Sequence, residues 1–581
     1  MIQLSKKFLS KWAVVGAVLF MVVQVLTFLY LPTLTAGIIN QGIAQHNLSY
    51  IIDQGIKMFF LSIVSVIAAG GNIYFAATQS QLMGKKIRSA IYRKVIYFSE
   101  QDLSHFGDSS LITRATNDVV QIQNVMVNML RMMIMSPIML ITAIILAYTM
   151  SPKLTLIFVI SLIILVIIIY LIMGQAIPLF RSIQGKTDNL NLTFREGLTG
   201  VRVIRAFNRD QYEQDRFDGY NRDYMNTGIK VYRLTAMLFP LLTVILNFTN
   251  IGIVWFGSQL IANHTFAVGN LVAFMSYATQ ILISFTMLSF MFVFLPRASA
   301  SAARINEVLN QKDTITDPEQ PVQTKATPDD HNATLEFDDV SYRFEDAERC
   351  ALTDVSFKVH AGQTLAIIGG TGSGKSTLVN LIPRLIDPEK GVIKLDGTPI
   401  NEMTQYDLHQ LVSITQQKAV LFAGTIRSNM QFGNEKATDE EIWHALDVAQ
   451  ASDFIKREDG LDTKVEQNGE NFSGGQKQRL AIARTIVKHA QVYVFDDSFS
   501  ALDFKTDAKL RSDLRNDPMI SNAISVIVAQ RVSTIANADE IIVLDDGKVV
   551  GQGTHKELLA NNPVYQSIVH SQIREGSDSN A

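Results

Sequence analysis

Cysteine is nearly absent from this chain of 581 residues, which contains only Cys350. A single cysteine excludes an internal disulfide and argues against a cysteine-based metal cluster or a cysteine protease. An excess of positive charge is also missing, because 51 Lys and Arg residues are balanced by 54 Asp and Glu residues, a formal net charge of −3. The sequence therefore gives no indication of a nucleic-acid partner.

Charge is missing altogether from long stretches of the N-terminal half. No Asp, Glu, Lys or Arg lies between Leu234 and Pro296. A hydrocarbon core of about 30 Å is crossed by about 20 apolar residues in a helix. This criterion predicts a transmembrane domain over residues 1–312. The expected spans are residues 13–37, 56–78, 129–150, 154–175, 234–257 and 269–296. The first run is far longer than the apolar region of a signal peptide, so we expect no cleaved leader.

Lys and Arg are unevenly distributed among the loops between these spans. They cluster in the two long loops after the second and fourth spans, whereas the loops on the other side offer only Lys57 and Lys153. The positive-inside rule then places the long loops and both termini in the cytoplasm, which predicts a multi-pass plasma-membrane protein. We interpret both long loops as helical continuations of the spans. Their tips, near residues 101–107 and 207–212, are expected to press on the soluble domain.

The second half of the chain has the composition of an ordinary soluble α/β domain. We expect this domain to cover residues 335–574. Before it, residues 313–334 are polar, contain proline and have no apolar period, which predicts a linker. Residues 575–581 are short and polar, and we expect a disordered tail there.

A glycine-rich segment of the soluble domain matches G-x-x-x-x-G-K-[ST]. An apolar strand is predicted before it, at Leu365–Ile368, and a helix after it, from Leu378. In that context the backbone amides of the loop approach phosphate oxygens, Lys375 contacts the terminal phosphates and Ser376 binds Mg²⁺. The candidate ATP-binding residues are Gly369, Gly370, Thr371, Gly372, Ser373, Gly374, Lys375, Ser376 and Thr377.

Two further segments give this pattern a family resemblance. Val492–Asp496 is an apolar strand that ends in a carboxylate, and Phe472–Gln476 reads Phe-Ser-Gly-Gly-Gln before an amphipathic helix. In this order, after six spans, they make the chain resemble exporter half-transporters of the ABC transporter superfamily. The resemblance implies an α-helical six-span transmembrane domain with long cytoplasmic helical extensions, followed by an α/β P-loop nucleotide-binding domain. It also implies ATP hydrolysis coupled to transport, with ATP and Mg²⁺.

The resemblance further implies a role for individual residues. Phe344 stands at the adenine-stacking position, and the Mg²⁺ ligands are Ser376, Gln417 and Asp496. The signature that would cap ATP on a partner subunit is Ser473, Gly474, Gly475 and Gln476. Asp503 lies in the loop between the two sites. Because each site of this family is shared head to tail, the resemblance implies a dimer.

Two positions depart from the family pattern. Asp497 stands where the catalytic glutamate is expected, and Gln530 stands where a histidine is expected. The carboxylate of an aspartate lies about 1.5 Å further back, and base assistance contributes roughly 10² to 10⁴ in rate. The catalytic candidates are Asp497, Gln530 and Gln417, and we expect ATP binding with slow hydrolysis.

A weakened base beside an intact signature is typical of one half of a heterodimeric exporter. The chain resembles the LmrC-type subunits of bacterial multidrug exporters, and the expected partner is a second, homologous half-transporter that carries the catalytic Glu and His. The alternatives are a homodimer with slow but symmetric hydrolysis and a non-transporting regulatory subunit that senses ATP.

The expected cargo follows from the spans. Residues 126–135 and 274–294 are rich in methionine and aromatic residues, which suit small amphipathic or apolar compounds. Lipid-facing packing explains these side chains equally well, and for any single residue it is the better explanation. A lipid floppase stays open as the second interpretation. A processing peptide exporter is disfavoured, since nothing resembles a leading peptidase domain, and so is an importer, since spans and ATPase are fused.

Overall fold

The computed structural model describes residues 2–322, 332–345 and 347–578. Contacts divide the chain into two compact units: residues 1–96 and 108–311 form the first, and residues 97–107 and 312–581 form the second. Residues 323–331 of the predicted linker and residues 579–581 of the predicted tail lie outside the described residues.

The chain is helical up to residue 310. The α-helices are α1 (Ile2–Phe8), α2 (Lys11–Gly37), α3 (Leu48–Ile96), α4 (Glu100–Phe106), α5 (Asp108–Ala115), α6 (Asn117–Asn128), α7 (Ile134–Met150), α8 (Pro152–Thr199), α9 (Val201–Ala206), α10 (Asp210–Ala236), α11 (Leu238–Ala262) and α12 (Val268–Asn310). Short π-helical segments follow α2 and α6, at Ile38–Ile43 and Met129–Met133.

Within the described residues, six helical segments are long and apolar enough to cross a membrane. They are Lys11–Ile43, Leu48–Ile96, Asp108–Met150, Pro152–Thr199, Asp210–Ala262 and Val268–Leu288. The helices α3 and α8 contain 49 and 48 residues, a length of about 70 Å and more than twice the thickness of a hydrocarbon core. The prediction that the long loops are helical continuations of the spans is confirmed.

The membrane unit has its main apolar core where α2, α7, α8 and α12 meet. Phe274 stacks on Phe158 with ring centroids 4.8 Å apart. The hydroxyl of the fully buried Tyr277 donates to the carbonyl of Leu29 at 3.1 Å and lies 2.7 Å from the hydroxyl of Thr33. The sequence places Phe274 and Tyr277 in a segment suited to a substrate surface, but both side chains are buried between helices.

A very short connection joins the third and fourth spans, as the sequence predicts. The helix α7 ends at Met150 and α8 begins at Pro152, so only Ser151 separates them. Proline suits the first position of a helix because its missing N–H has no helical partner there. The hydroxyl of Ser151 accepts from the amide of Leu154 at 3.4 Å and caps the helix.

The second unit alternates strands and helices. Its strands are β1 (Thr334–Tyr342), β2 (Leu352–His360), β3 (Thr364–Gly369), β4 (Lys390–Leu395), β5 (Thr398–Pro399), β6 (Val412–Thr415), β7 (Gly424–Thr425), β8 (Lys464–Val465), β9 (Val492–Asp496), β10 (Ile524–Val528), β11 (Glu540–Asp545) and β12 (Lys548–Gly553). Its further helices are α13 (Lys375–Leu381), α14 (Gln405–Leu411), α15 (Ile426–Met430), α16 (Asp439–Val448), α17 (Ser452–Ile455), α18 (Gly474–Val487), α19 (Phe504–Asn516), α20 (Val532–Ile535), α21 (His555–Asn561) and α22 (Pro563–Asp578). The last helix continues into the segment that the sequence assigns to a disordered tail.

One sheet of this unit sets the position of the candidate site. Its strand order is β12-β11-β3-β10-β9-β6. The strands β11, β3, β10, β9 and β6 are mutually parallel, and β12 pairs antiparallel at one edge. All residues of β9 are buried, as expected for a strand covered on both faces. Because parallel strands end at the same edge, the residues that follow β3, β6, β9 and β10 are brought together.

The tip of the first long loop belongs to this second unit, with residues 97–107. The amide of Gln101 donates to the carboxylate of Glu345 at 2.7 Å. The hydroxyl of Thr314 donates to Asp102 at 3.0 Å. The predicted contact between this tip and the soluble domain is confirmed.

Candidate nucleotide site

The phosphate loop connects β3 to α13 in the strand-loop-helix order that the motif requires. Gly374 has a φ of +99°, a backbone conformation that side chains rarely adopt. A Cβ on Gly374 would lie 2.8 Å from the carbonyl oxygen of Ala351, and one on Gly369 would lie 2.2 Å from that of Leu544. The loop is therefore a cradle whose curvature depends on glycine at these two positions.

Lys375 begins α13 and folds back over the loop. Its Nζ donates to the carbonyls of Gly369 and Gly370 at 2.9 and 2.7 Å. Burial lowers the pKa of Lys375, and the negative charges of Asp497 and Asp496 oppose that shift. The ammonium is held at the mouth of the cradle, where it would meet the terminal phosphates of a nucleotide.

Ser376 and Asp496 form the candidate Mg²⁺ site. The hydroxyl of Ser376 donates to Oδ1 of Asp496 at 3.3 Å. Burial raises the pKa of Asp496, and the hydrogen bond from Ser376 opposes that shift. A hydroxyl and a carboxylate are hard oxygen ligands, so this pair fits Mg²⁺. When bound, the ion would neutralise charge on the β- and γ-phosphates.

Asp497 lies immediately past β9 and has a φ of +44°, which is uncommon outside glycine. Its amide donates to the carbonyl of Val528, the last residue of β10, at 3.1 Å. Its Oδ2 accepts from the amides of Gln530 at 2.8 Å and Gln417 at 3.4 Å. Burial raises the pKa of Asp497, and the charge of Lys375 and these two hydrogen bonds oppose the shift. The three catalytic candidates are thus in direct contact.

The signature residues lie apart from this cluster, at the start of α18. Ser473 caps the helix, and its backbone amide donates to the side chain of Gln476 at 2.8 Å. Both Ser473 and Gly474 are exposed. Within residues 2–322, 332–345 and 347–578, no hydrogen bond joins this segment to the phosphate loop. The N-terminus of α18 is therefore at the surface, where a helix can bind an anion.

Phe344 and Asp503 occupy the remaining predicted positions. Phe344 is 51% exposed, and its ring meets that of Tyr342 edge to face at 5.1 Å. Asp503 caps α19 and accepts from the amide of Thr506 at 3.1 Å. The side-chain hydrogen bond from Thr506 lowers the pKa of Asp503.

Sequence reasoning missed Arg531, which follows Gln530. Its guanidinium donates to the carbonyl of Ser500 at 3.3 Å and lies 4.9 Å from the ring centre of Phe504. It therefore ties the loop after β10 to the segment that leads to Asp503. An arginine directly after a candidate catalytic residue was the signal available in the sequence.

Comparison with known proteins agrees with this geometry. The ABC transporter transmembrane region family matches residues 14–285, and the ABC transporter family matches residues 352–500. An uncharacterized ABC transporter ATP-binding protein of Mycobacterium tuberculosis is 38% identical over 95% of this chain and 94% of its own. Another, YfiB of Bacillus subtilis, is 35% identical over 99% of this chain and 100% of its own.

Two further similarities concern exporters and lipid. An ATP-dependent lipid A-core flippase of Desulfotalea psychrophila is 31% identical over 88% of this chain and 89% of its own. The structure of a bacterial Atm1-family ABC exporter with ATP bound superimposes with a TM-score of 0.80 at 25% identity, covering 97% of this chain and 98% of that chain.

These similarities confirm the predicted fold class and the superfamily. The likeness to LmrC-type subunits, slow hydrolysis and the multidrug cargo stay predictions. The match over residues 352–500 implies ATP binding, usually with Mg²⁺, and an ATPase coupled to transport. This multi-pass membrane protein belongs to the ABC transporter family and has the exporter arrangement, a six-span transmembrane region followed by a nucleotide-binding domain.

Proposed function

We propose that this chain is one half of a heterodimeric, ATP-driven exporter of amphipathic or apolar compounds. The site built on its own phosphate loop binds ATP and hydrolyses it slowly. Its signature completes the faster site of a homologous partner that carries the catalytic Glu and His. Both termini and the nucleotide-binding domain lie in the cytoplasm, on the side favoured by the basic loops.

The contact between Asp497 and Gln530 carries this proposal. A general base must accept a proton from the attacking water. One of the two carboxylate oxygens of Asp497, Oδ2, already accepts two amide hydrogen bonds, from Gln530 and Gln417, which leaves Oδ1 for that role. The short side chain also sets the carboxylate back from the phosphate cradle. Gln530 can donate a hydrogen bond to a phosphate but cannot carry the positive charge that a histidine could. These residues favour binding over cleavage.

The exposed signature supports the need for a second chain. Ser473 and Gly474 are exposed at the start of α18, and the phosphate loop of the same chain makes no hydrogen bond with them within the described residues. A helix N-terminus of this kind is suited to an anion. In the proposed heterodimer, that anion is the γ-phosphate of ATP on the partner.

A lipid cargo is the second candidate. The similarity to a lipid A-core flippase favours it, and so does the packing of Phe274 and Tyr277 between helices, which removes two side chains from the expected substrate surface. Reconstituted into vesicles with its partner, the chain would be supplied with a fluorescent phospholipid or an apolar dye. ATP-dependent movement of lipid alone would select this candidate.

ATP turnover by the purified full-length chain in nanodiscs tests the slow site. We expect Mg²⁺-dependent binding of ATP with slow hydrolysis. Where two copies of the chain pair, each signature completes the site of the other copy, and we expect an acceleration of roughly 10²-fold when Asp497→Glu and Gln530→His are combined. Lys375→Ala in the same background should abolish the gain. Rapid turnover by the unmodified chain without a partner would refute the proposal.

A further inference from the structure

The last helix of the chain reaches the loop that carries Gln530. The amide of Val532 donates to Oε1 of Gln572 at 2.8 Å, and Nε2 of Gln572 donates to the carbonyl of Gln530 at 2.7 Å. One side chain of α22 therefore bonds the backbone on both sides of Arg531. A glutamine side chain offers a carbonyl acceptor and an NH₂ donor, so it satisfies the amide of Val532 and the carbonyl of Gln530 at once.

Two other contacts hold the ends of this loop: the amide of Ala529 donates to the carbonyl of Ile367 on β3 at 3.2 Å, and the guanidinium of Arg531 donates to the carbonyl of Ser500 at 3.3 Å. The strand β10 ends at Val528 and α20 begins at Val532, so residues 529–531 belong neither to the sheet nor to a helix. Backbone groups in such a position need partners from elsewhere, and Gln572 supplies two of them.

The helix that carries Gln572 is itself firmly placed. Tyr565 is fully buried and Val569 is 9% exposed, and both belong to the same apolar cluster as Ala529 and Val532. The hydroxyl of Tyr565 also lies 2.7 Å from Nδ1 of His555 on α21. The position of Gln572 is thus fixed by the apolar packing of α22 and by its contact with α21.

We propose that Gln572 is a positioning residue of the nucleotide site. By fixing the backbone of Gln530 it directs the amide of that residue to Asp497, which accepts at 2.8 Å. The chain of contacts runs from α22 through Gln572 and Gln530 to the carboxylate beside the phosphate cradle. The inference rests on the proposed function only in assigning Gln530 to the hydrolytic site.

The test compares two glutamines of the same helix in the full-length chain in nanodiscs. Gln572→Met keeps the size of the side chain but removes both hydrogen bonds. Gln566→Met is the matched control, because the amide of Gln566 donates to Leu559 and Ala560 and not to the loop. Single-turnover hydrolysis of radiolabelled ATP and the affinity for ATP are measured for each variant.

For Gln572→Met we expect hydrolysis to slow by about three- to ten-fold, the loss of a neutral hydrogen bond, with the affinity for ATP within about two-fold of wild type. Hydrogen exchange at the amide of Val532 should also accelerate. Gln566→Met should change neither the rate of hydrolysis nor this hydrogen exchange. If Gln572 acts through Gln530, then adding Gln572→Met to Gln530→Ala slows hydrolysis no further.

Three results would overturn the inference: equal effects of both glutamine variants, a parallel loss of ATP affinity, or effects of Gln572→Met and Gln530→Ala that multiply. Fast hydrolysis by the unmodified chain would refute the slow site, but the double-mutant comparison would still decide the role of Gln572.

Discussion

The side-chain amide of Gln530 donates to the carboxylate of Asp497 at 2.8 Å, although 33 positions separate the two residues in the chain. The contact exists because β9 and β10 run parallel with Val528 opposite Asp496. Asp497, directly after β9, and Gln530, two residues after β10, therefore lie beside each other. This pair determines how the site responds to pH.

Removal of the Gln530 amide should move the acid limb of residual ATP hydrolysis to higher pH. Burial raises the pKa of Asp497, and the hydrogen bond from Gln530 is among the interactions that hold it down. The carboxylate is the active form, so a further rise in its pKa means that activity is lost earlier as the pH falls. The measurement is the normalised pH profile of single-turnover hydrolysis for Gln530→Leu.

The control for this variant is Gln552→Leu. The amide of Gln552 also donates to a carboxylate, that of Glu540 at 2.6 Å, but this hydrogen bond is exposed and lies at the start of β11, away from the phosphate loop. Its acid limb should match that of the wild type. An acid limb that stays at the same pH or moves to lower pH in Gln530→Leu would contradict the hydrogen bond from Gln530 to Asp497.

Substitution by alanine should affect ATP affinity differently at two glycines of the phosphate loop. In Gly374→Ala the new Cβ would lie 2.8 Å from the carbonyl of Ala351, at a φ of +99°. The loop must then shift, and we expect ATP affinity to fall by about ten-fold or more. Gly370→Ala is the control, because no atom lies within 4 Å of its built Cβ. Binding of a fluorescent ATP analogue distinguishes them, and equal losses would contradict the cradle geometry.

The sequence predicts those parts of the fold whose cause is local. Uncharged apolar runs predict the spans because a hydrocarbon core excludes charge, and the glycines around Lys375 predict the phosphate loop because only that backbone approaches phosphate closely. The contact of Asp497 with Gln530 depends on which strands are neighbours and in what register. No local pattern contains that information, and the family resemblance alone indicated a shared site.

Gln572 and Arg531 show the same limit. Both are polar residues without a recognisable spacing, and their roles appear only when α22 and α19 are placed against the loop after β10. The sequence also predicts the bounds of some helices incompletely. The helix α3 begins at Leu48 and ends at Ile96, well outside the predicted apolar span, because polar residues continue a helix once it leaves the membrane.

The ion pair between Asp118 and Arg304 should stabilise the membrane unit. Asp118 on α6 is 4% exposed and accepts from Ser301 and from Nε of Arg304 on α12, both at 2.8 Å. Arg304→Met would leave the carboxylate buried without its cation. We expect a loss of about 1–3 kcal/mol in the free energy of unfolding, below the cost for a fully buried pair because Arg304 is 48% exposed.

The matched control is Lys57→Met. Lys57 pairs with Asp53 at 2.6 Å, but their side chains are 54% and 57% exposed. Exposed pairs contribute little, so the midpoint of urea unfolding of the solubilised chain should stay unchanged for this variant. A midpoint that is equally unchanged for Arg304→Met would show that the buried pair does not hold α6 to α12.

Lys488 should make the second unit more stable as the pH rises above about 8. Its ammonium donates to the carbonyls of His409 and, at 2.9 Å, Val412, and burial lowers its pKa from 10.5 to about 8. Since the folded pKa lies below the unfolded one, the unfolded chain binds more protons between these two values, and stability rises with pH there. Below about pH 8 the contribution is constant. Over the whole interval it amounts to about 3 kcal/mol.

The difference in melting temperature between the wild type and Lys488→Met isolates this effect, because methionine cannot titrate. Measured at pH 7 and again near pH 10, the wild type should gain on the variant at the higher value. Lys456→Met removes a lysine whose side chain is 56% exposed, and its difference from the wild type should be the same at both values. If Lys488→Met behaves like this control, the ammonium of Lys488 is hydrated and does not keep its hydrogen bonds to His409 and Val412 in solution.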